Sequence, residues 1–250
     1  FLTPLATPAD ARAAAITSRE AVQRVLEVAS GGRLHFMANS IGGLRDDVPA
    51  GWTEHVDEAL RTVERAVPLL AAATVEDAQF AAAHRGVGVL SLADATALGV
   101  SGPAGRASGL DVDLRRDDPA AGYETLNVRP VVASDGDALA RVRCQLAEVS
   151  LAVDLARQCL KCIPDGPVNI RLPSTIAPPE GSVYVWGEAP LGIAGVHLVS
   201  RGERTPWRLR LRTASFNNVQ ALSALLPGTP LVQLPVVLGS FAVVVGDIDK

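Results

Sequence analysis

Between Arg85 and Gly109, glycine stands at positions 86, 88, 99, 102, 105 and 109, around one short helical segment, in a chain otherwise built largely of Ala, Leu and Val. Glycine at that density marks backbone forced to positive φ or brought very close to another group. A phosphate cradle is the first candidate, and it fails on the residues. A P-loop closes on Gly-Lys-[Ser/Thr], and no Lys occurs in this stretch. A dinucleotide turn needs G-x-G-x-x-G, but Gly86-x-Gly88 runs on to Ser91, and Gly99-x-x-Gly102-x-x-Gly105 has the wrong first interval. Close backbone packing remains, with Arg106 and Ser108 placed to fix the turn.

What the glycines pack against follows from the composition. Aromatics make up only 4% of the 250 residues, so the core is filled by Ala, Val and Leu, which favours closely apposed helices. A hydrophobic fraction of 48% excludes disorder of the whole chain. The net charge of −4 comes from mixed signs without a basic block, which argues against a nucleic-acid partner. The most apolar run, Leu231 to Val245, is interrupted by Gln233, Pro235, Gly239 and Ser240 and is too short to span a membrane as a helix. Three cysteines, an odd number, suit a reducing cytosol better than a disulfide framework. The chain begins at Phe1 rather than Met, which leaves room for an upstream portion.

Periodicity predicts helices first and strands later. Thr17-x-x-Glu20 reads as a capping box opening a helix that Gly31-Gly32 stops. Thr53 starts a second, with Val56, Leu60, Val63, Val67 and Leu70 on one face. Thr74-x-x-Asp77 and Ser91-x-x-Asp94 cap two short helices, the latter closed by Gly99. An irregular stretch from Asp111 to Ser134 contains one extended segment near Leu126–Val132. The longest helix covers about Asp137–Ile163, and Leu139, Val142, Leu146, Val149, Val153, Ala156, Leu160 and Ile163 form a narrow seam along it. Pro164-Asp165-Gly166-Pro167 ends it. Val183–Glu188, Val196–Ser200, Trp207–Arg212 and Phe241–Val245 read as strands, with a helix of about Phe216–Leu226 among them. Alternation of Arg208, Arg210 and Arg212 with Leu209 and Leu211 gives the third strand one wet face. The expectation is an α+β fold, mainly α: a helical core over 1–167 and a small mixed sheet with helices over 168–250, packed on the same core.

The residues alone offer little chemistry. Cys159-x-x-Cys162 sits in the last turn of a long helix, whereas a reactive pair belongs at a helix start. A zinc site would need a second ligand pair, and only Cys144, His35, His55, His84 and His197 are left to supply it. Asp111, Asp113, Asp117 and Asp118 around Arg115-Arg116 read as a solvated loop of weak local ion pairs and lack the calcium-loop order. No G-x-S-x-G elbow and no H-E-x-x-H motif occurs. His35, beside the Gly42-Gly43 loop, could titrate or donate to a ligand, though a satisfied loop histidine is the commoner case.

Taken in order, however, several segments resemble the quinone-site subunit of respiratory complex I, the D-subunit family of NADH-quinone oxidoreductase, which is related to the hydrogenase large subunit. They are Leu2-Thr3-Pro4; Arg33-x-His35-x-x-x-Asn39-x-Ile41-Gly42-Gly43 with Val48-Pro49-x-Gly51-Trp52; and Gly86-Val87-Gly88-Val89-Leu90-Ser91 through Gly102-Pro103. Arg106-Ala107-Ser108-Gly109, Asp113-Leu114-Arg115, Tyr123, Gly136-Asp137 with Arg141 and Arg143, and Gln158-Cys159-Leu160 follow. Glu188-Ala189-Pro190-x-Gly192, Gly195-Val196-x-Leu198-Val199-Ser200 and the closing Gly246-Asp247-Ile248-Asp249-Lys250 complete a colinear match over nearly the whole chain.

The resemblance implies a membrane-peripheral subunit on the cytoplasmic side. With a neighbouring iron–sulfur subunit it would enclose a quinone headgroup, carry no cofactor of its own, and meet the membrane arm through its partners. It places Val244, Gly246, Asp249 and Lys250 in the quinone cavity, with Asp249 as the proton-linked residue, and adds His35, Gly42 and Gly43. Hydrogenases of this fold hold nickel and iron through two cysteine pairs, and this chain has no cysteine at its end. Against the family pattern, Ser40 and Leu191 stand in place of basic residues, and Gln233 and Ala242 in place of acids. The family's Met-Glu-x-x-Ile helix has no room between Arg171 and Glu180. Those losses admit a second reading, a scaffold paralogue without quinone turnover.

Overall fold

The computed structural model describes residues 8–173 and 175–249, so Leu2-Thr3-Pro4 and Lys250 lie outside the described residues. Helix α1 covers Ala9–Ser30 and α2 covers Trp52–Ala72, and they pair as a hairpin. The Trp52 indole N–H locks the pair by donating to the Val25 carbonyl at 2.8 Å. Helix α1 begins eight residues before the expected capping box. The Ala-rich run after Pro8 has helix propensity enough to extend the helix, so Thr17 and Glu20 lie exposed within it. Gly31, at φ 73°, closes it by donating to the Glu27 carbonyl.

Between the two helices, short strands β1 (Asn39–Ser40) and β2 (Gly43–Leu44) form a two-residue hairpin. Helices α3 (Ala78–His84), α4 (Leu92–Ala97), α5 (Gly102–Arg106) and α6 (Leu114–Asp117) follow α2. Asp77, rather than Thr74, caps α3: its carboxylate accepts from the Phe80 N–H, while Thr74 is buried and donates back to Leu70. Ser91 caps α4 as expected. The segment 126–132 is extended but joins no sheet, having no strand edge beside it.

Helix α7, Ala138–Lys161, is the longest described, capped by Asp137. Its burial departs from a narrow seam. Ala138 through Val142 are buried without interruption, whereas Val149 and Ile163 are exposed. The first turns of α7 are therefore enclosed by the glycine-rich turns, and its later turns lean on α2, where Arg157 pairs with Glu64.

Strands β3 (Gly181–Ala189), β4 (Gly192–Ser200) and β5 (Arg208–Arg212) form one antiparallel sheet in the order β3-β4-β5, not a mixed one. Both faces of β5 are wet over most of its length, since Leu209 and Leu211 are exposed along with Arg208 and Arg210, while Arg212 is half-buried. The helix expected at 216–226 is two, α8 (Ala214–Asn218) and α9 (Gln220–Leu225), separated by Val219, whose carbonyl accepts from the Leu222 N–H in a tighter turn.

The expected strand at 241–245 is absent. Phe241 ends α10 (Leu234–Phe241), Ala242 adopts φ 52°, and α11 covers Val245–Ile248. A continuous apolar run does not distinguish strand from buried helix; here Pro235 in the first turn favours helix.

The glycines do what their density implies. A Cβ on Gly102 would lie 2.5 Å from the Leu191 carbonyl oxygen, and one on Gly136 2.2 Å from that of Leu90. Those contacts bring the β3–β4 turn and the start of α7 against the central turns. One cluster of buried residues then runs from Val87, Leu90 and Val100 to Leu222, Val237 and Phe241, joining early and late parts of the chain.

Candidate functional site

Arg106 organises the most unusual arrangement in the molecule. Its side chain is 2% exposed, and Val100 to Ser108 around it are buried as well. The guanidinium meets three carboxylates: Asp113 at 3.3 Å, Glu148 at 2.8 Å and Glu188 at 2.8 Å. Arg115 joins from α6, at 2.6 Å from Asp113 and 3.0 Å from Glu148. Each member comes from a different element: α5, the turn before α6, α6 itself, α7 and β3. Buried charges are tolerated only when paired and hydrogen-bonded, so the cluster fixes how these elements meet.

Burial pushes Asp113 upward, but hydrogen bonds from Arg115 and the charges of both arginines outweigh it and hold the carboxyl below its usual range. For Arg115, burial opposes the charge, yet hydrogen bonds to Asp113 and Glu148 raise it. Glu188 goes the other way. Burial lifts it above the usual carboxylate value despite the hydrogen bond from Arg106.

The cluster lines part of a cavity of about 610 Å³. Its walls are largely aliphatic: Ala15 and Ile16 of α1; Val63, Ala66, Val67 and Leu70 of α2; Val149 and Ala152 of α7. Pro190 and Leu191 of the β3–β4 turn and Ala242 after α10 complete it, while Arg106, Arg115, Glu148 and Glu188 supply charge. The α2 face that the sequence assigned to helix packing thus lines this space, and Val63, Val67 and Leu70 are only partly buried. A largely apolar slot with a few convergent polar groups suits a flat, weakly polar ligand.

A second cation, Arg141, is buried without a carboxylate in pairing range among the described residues. It donates to the Gly136 carbonyl at 2.7 Å and the Ser240 hydroxyl at 3.0 Å, and lies 4.4 Å from the Phe241 ring centroid. Burial lowers its pKa to about 10. It pins α10 to the start of α7 and so positions Ala242.

The residues singled out from the sequence lie in two other places. Gly42 lies in the β1–β2 turn and Gly43 opens β2; this hairpin packs on the 168–172 segment through a bridge from Gly43 to Asn169, and His35 is exposed before it. Val244, Gly246 and Asp249 are exposed near the chain end. There the Val244 N–H donates to the Ser215 hydroxyl, and Ser215 donates to the Asp247 carboxylate at 2.9 Å. None of these six lines the 610 Å³ cavity; the C-terminal segment reaches it through Ala242.

The acidic loop needs correction. Asp111 and Asp117 pair with Arg116 at the surface as expected, but Asp113 is fully buried and is no solvated side chain. Glu148 was missed from the sequence, and Glu188 was assigned no chemistry there. The available signal was an acid two positions after the core residue Leu146 of α7. Cys159 and Cys162 are exposed at the end of α7, and burial raises the Cys144 thiol to about 11. Among the described residues, no group of three or more His, Cys, Asp or Glu is placed to hold a metal ion, and no helix is long and apolar enough to cross a membrane.

Comparison with known proteins places this architecture. The model of a family described as "Respiratory-chain NADH dehydrogenase, 49 Kd subunit" matches residues 11–179 and 172–250. The D subunit numbered 2 of the NADH-quinone oxidoreductase of Salinispora arenicola is 52% identical over 238 residues, covering 94% of this chain and 62% of the relative. The D subunit numbered 1 of the corresponding Streptomyces coelicolor enzyme is 48% identical over 241 residues, covering 94% and 63%. The chain thus spans about three-fifths of the length of these curated relatives. Among solved structures, a chain of the membrane-bound sulfane sulfur reductase, an archaeal respiratory membrane complex, superposes with a TM-score of 0.89 at 29% identity. It covers 96% of this chain and 66% of that one.

Proposed function

The chain belongs to the 49 kDa subunit family of respiratory-chain NADH dehydrogenase, and we propose that it serves as a subunit of an NADH-quinone oxidoreductase. In this reading it lies on the cytoplasmic side of the membrane, attached through its partners, and forms part of the quinone cavity beside an iron–sulfur subunit. It carries no redox centre; electrons reach the quinone from a cluster on that partner. The observation that carries the reading is the 610 Å³ cavity, aliphatic along α1, α2 and α7 and charged where Arg106, Arg115, Glu148 and Glu188 meet it. A quinone ring takes an apolar slot, and its carbonyl oxygens need protons as it is reduced, so polar groups are wanted at one end only.

The test narrows the slot without touching the cluster. A Leu191→Trp change in the assembled complex is expected to raise the KM for a short-chain quinone several-fold while leaving NADH-driven reduction of upstream acceptors intact. An unchanged KM would remove this cavity from the proposal. Asp249 is proposed as the proton-linked end of the same pathway, with Val244, Gly246 and Lys250 assigned to the same quinone cavity by the family resemblance. Asp249→Asn should then lose quinone reduction with upstream electron transfer preserved, and undiminished turnover would exclude it. In the same reading His35, Gly42 and Gly43 belong to the outer wall.

A scaffold role is the second reading, and one observation favours it. Leu191 and Ala242, which replace charged residues of the family pattern, both line the cavity. A complex that binds a quinone analogue but does not reduce it would support the scaffold.

A further inference from the structure

We infer that the Arg106 cluster is a proton-holding site coupled to the cavity, and that filling the cavity with an apolar ligand draws one proton from solvent onto Glu188. The inference rests on the quinone reading above.

Charge counting comes first. Asp113, Glu148 and Glu188 bring three negative charges, and Arg106 and Arg115 bring two positive ones. Fully ionised, the cluster is one charge short of neutral. The shortage falls on Glu188. Asp113 and Glu148 each meet both arginines, whereas Glu188 meets Arg106 alone and otherwise accepts only the Leu114 N–H at 3.3 Å. Its side chain is 3% exposed, and burial already raises it.

The described surroundings offer no compensating cation in contact. Arg19 of α1 lines the cavity but is exposed, and Tyr123, Gln145 of α7 and the buried Cys144 bring no positive charge. The remaining solvation of the excess charge therefore comes through the open cavity, which Arg106, Arg115, Glu148 and Glu188 all line. Replacing that water with a weakly polar ring disfavours the charged form of the carboxylate that meets a single arginine. A proton on a Glu188 oxygen restores neutrality. It comes from bulk solvent, and no other bond forms or breaks.

A cluster that only pins α5, α6, α7 and β3 together would take up no proton on ligand binding. The experiment therefore counts protons. A short-chain quinone is titrated into the assembled complex by calorimetry in two buffers of different ionisation enthalpy, between about pH 5 and 8. Uptake approaching one proton per quinone is expected. The dissociation constant should tighten by up to about tenfold per pH unit on acidification within the coupled window. The ligand-induced infrared difference spectrum should show a new protonated-carboxyl C=O band. In Glu188→Gln the pH slope and the band should both be lost. Quinone binding without proton uptake, or a band and slope undiminished in Glu188→Gln, would overturn the inference and leave the quinone reading standing. No quinone binding at any pH would overturn both. The proton count and the band are read on the unmodified complex, so the inference is decided even if the variant fails to assemble.

Discussion

Replacing Arg106 by Met keeps most of the side-chain volume and removes the charge, which isolates what the cluster contributes. In the folded protein Arg106 faces Asp113, Glu148 and Glu188 within 3.3 Å, and its own side chain is 2% exposed. Without it, Asp113 and Glu148 share the single cation Arg115, and Glu188 is left without a cation in contact. Removing one partner of a buried ion pair costs about 3–5 kcal/mol, because the charge left behind stays desolvated. For a chain of this size that corresponds to a Tm lowered by roughly 6–20 °C. The loss should depend on pH, and the sign is fixed. The stranded carboxylates acquire folded-state pKa values above their unfolded values, so they destabilise the fold above those pKa values and cease to do so as they protonate. The gap between variant and wild type should therefore narrow as pH falls from about 8 to about 5. Adding Glu188→Gln to Arg106→Met should restore part of the loss, since it removes one stranded charge. Urea unfolding followed by Trp fluorescence checks this, with Trp186 well placed to report: its indole N–H donates to Asp118 at 2.6 Å, just past α6. A loss below about 1 kcal/mol, or one that is the same at both ends of the pH range, would refute the reasoning.

Three further outcomes follow from the same geometry. Gly136→Ala should destabilise far more than Gly86→Ala in thermal melts. Both sites have positive φ, worth about 1–2 kcal/mol, but only at Gly136 would the new Cβ strike a backbone oxygen, at 2.2 Å. Asn218→Ala should cost about 1–3 kcal/mol in denaturant titrations, because its amide serves the Ser101 N–H and the Ser101 and Leu191 carbonyls in a buried site. His84 is lowered by burial although it contacts the Phe80 carbonyl at 2.7 Å. Its contribution to stability should therefore fall as pH drops below about 6.5 toward the lowered folded value, and His84→Gln should flatten that part of the pH–stability curve.

The helical half of the fold was legible because its signals are local. Gly31 stops α1, Ser91 caps α4 and Asp137 caps α7, each with a side chain or φ value that acts within four residues. The glycine stretch was legible as close packing, and Gly102 against Leu191 shows why no larger residue fits. What the sequence concealed depends on distant contacts. Phe241–Val245 has strand composition, but Phe241 closes α10 with its ring against Arg141, a contact from far earlier in the chain. Asp113 lies among surface acids in the sequence and becomes a buried ion partner because Arg106, Glu148 and Glu188 arrive from 7, 35 and 75 residues away (113 − 106, 148 − 113 and 188 − 113). The α2 stripe gave its direction correctly but not what it faces, since a helix cannot signal whether its apolar side meets a neighbour or a cavity.

Photolabelling the assembled complex with an azidoquinone tests most directly whether the space between the β3–β4 turn, Ala242 and the Arg106 cluster receives the quinone. Cross-links on residues 189–191 and on Ala242, displaced by excess unlabelled quinone, are the result expected. Displaceable labelling that falls wholly on other subunits, or elsewhere on this chain, would contradict it.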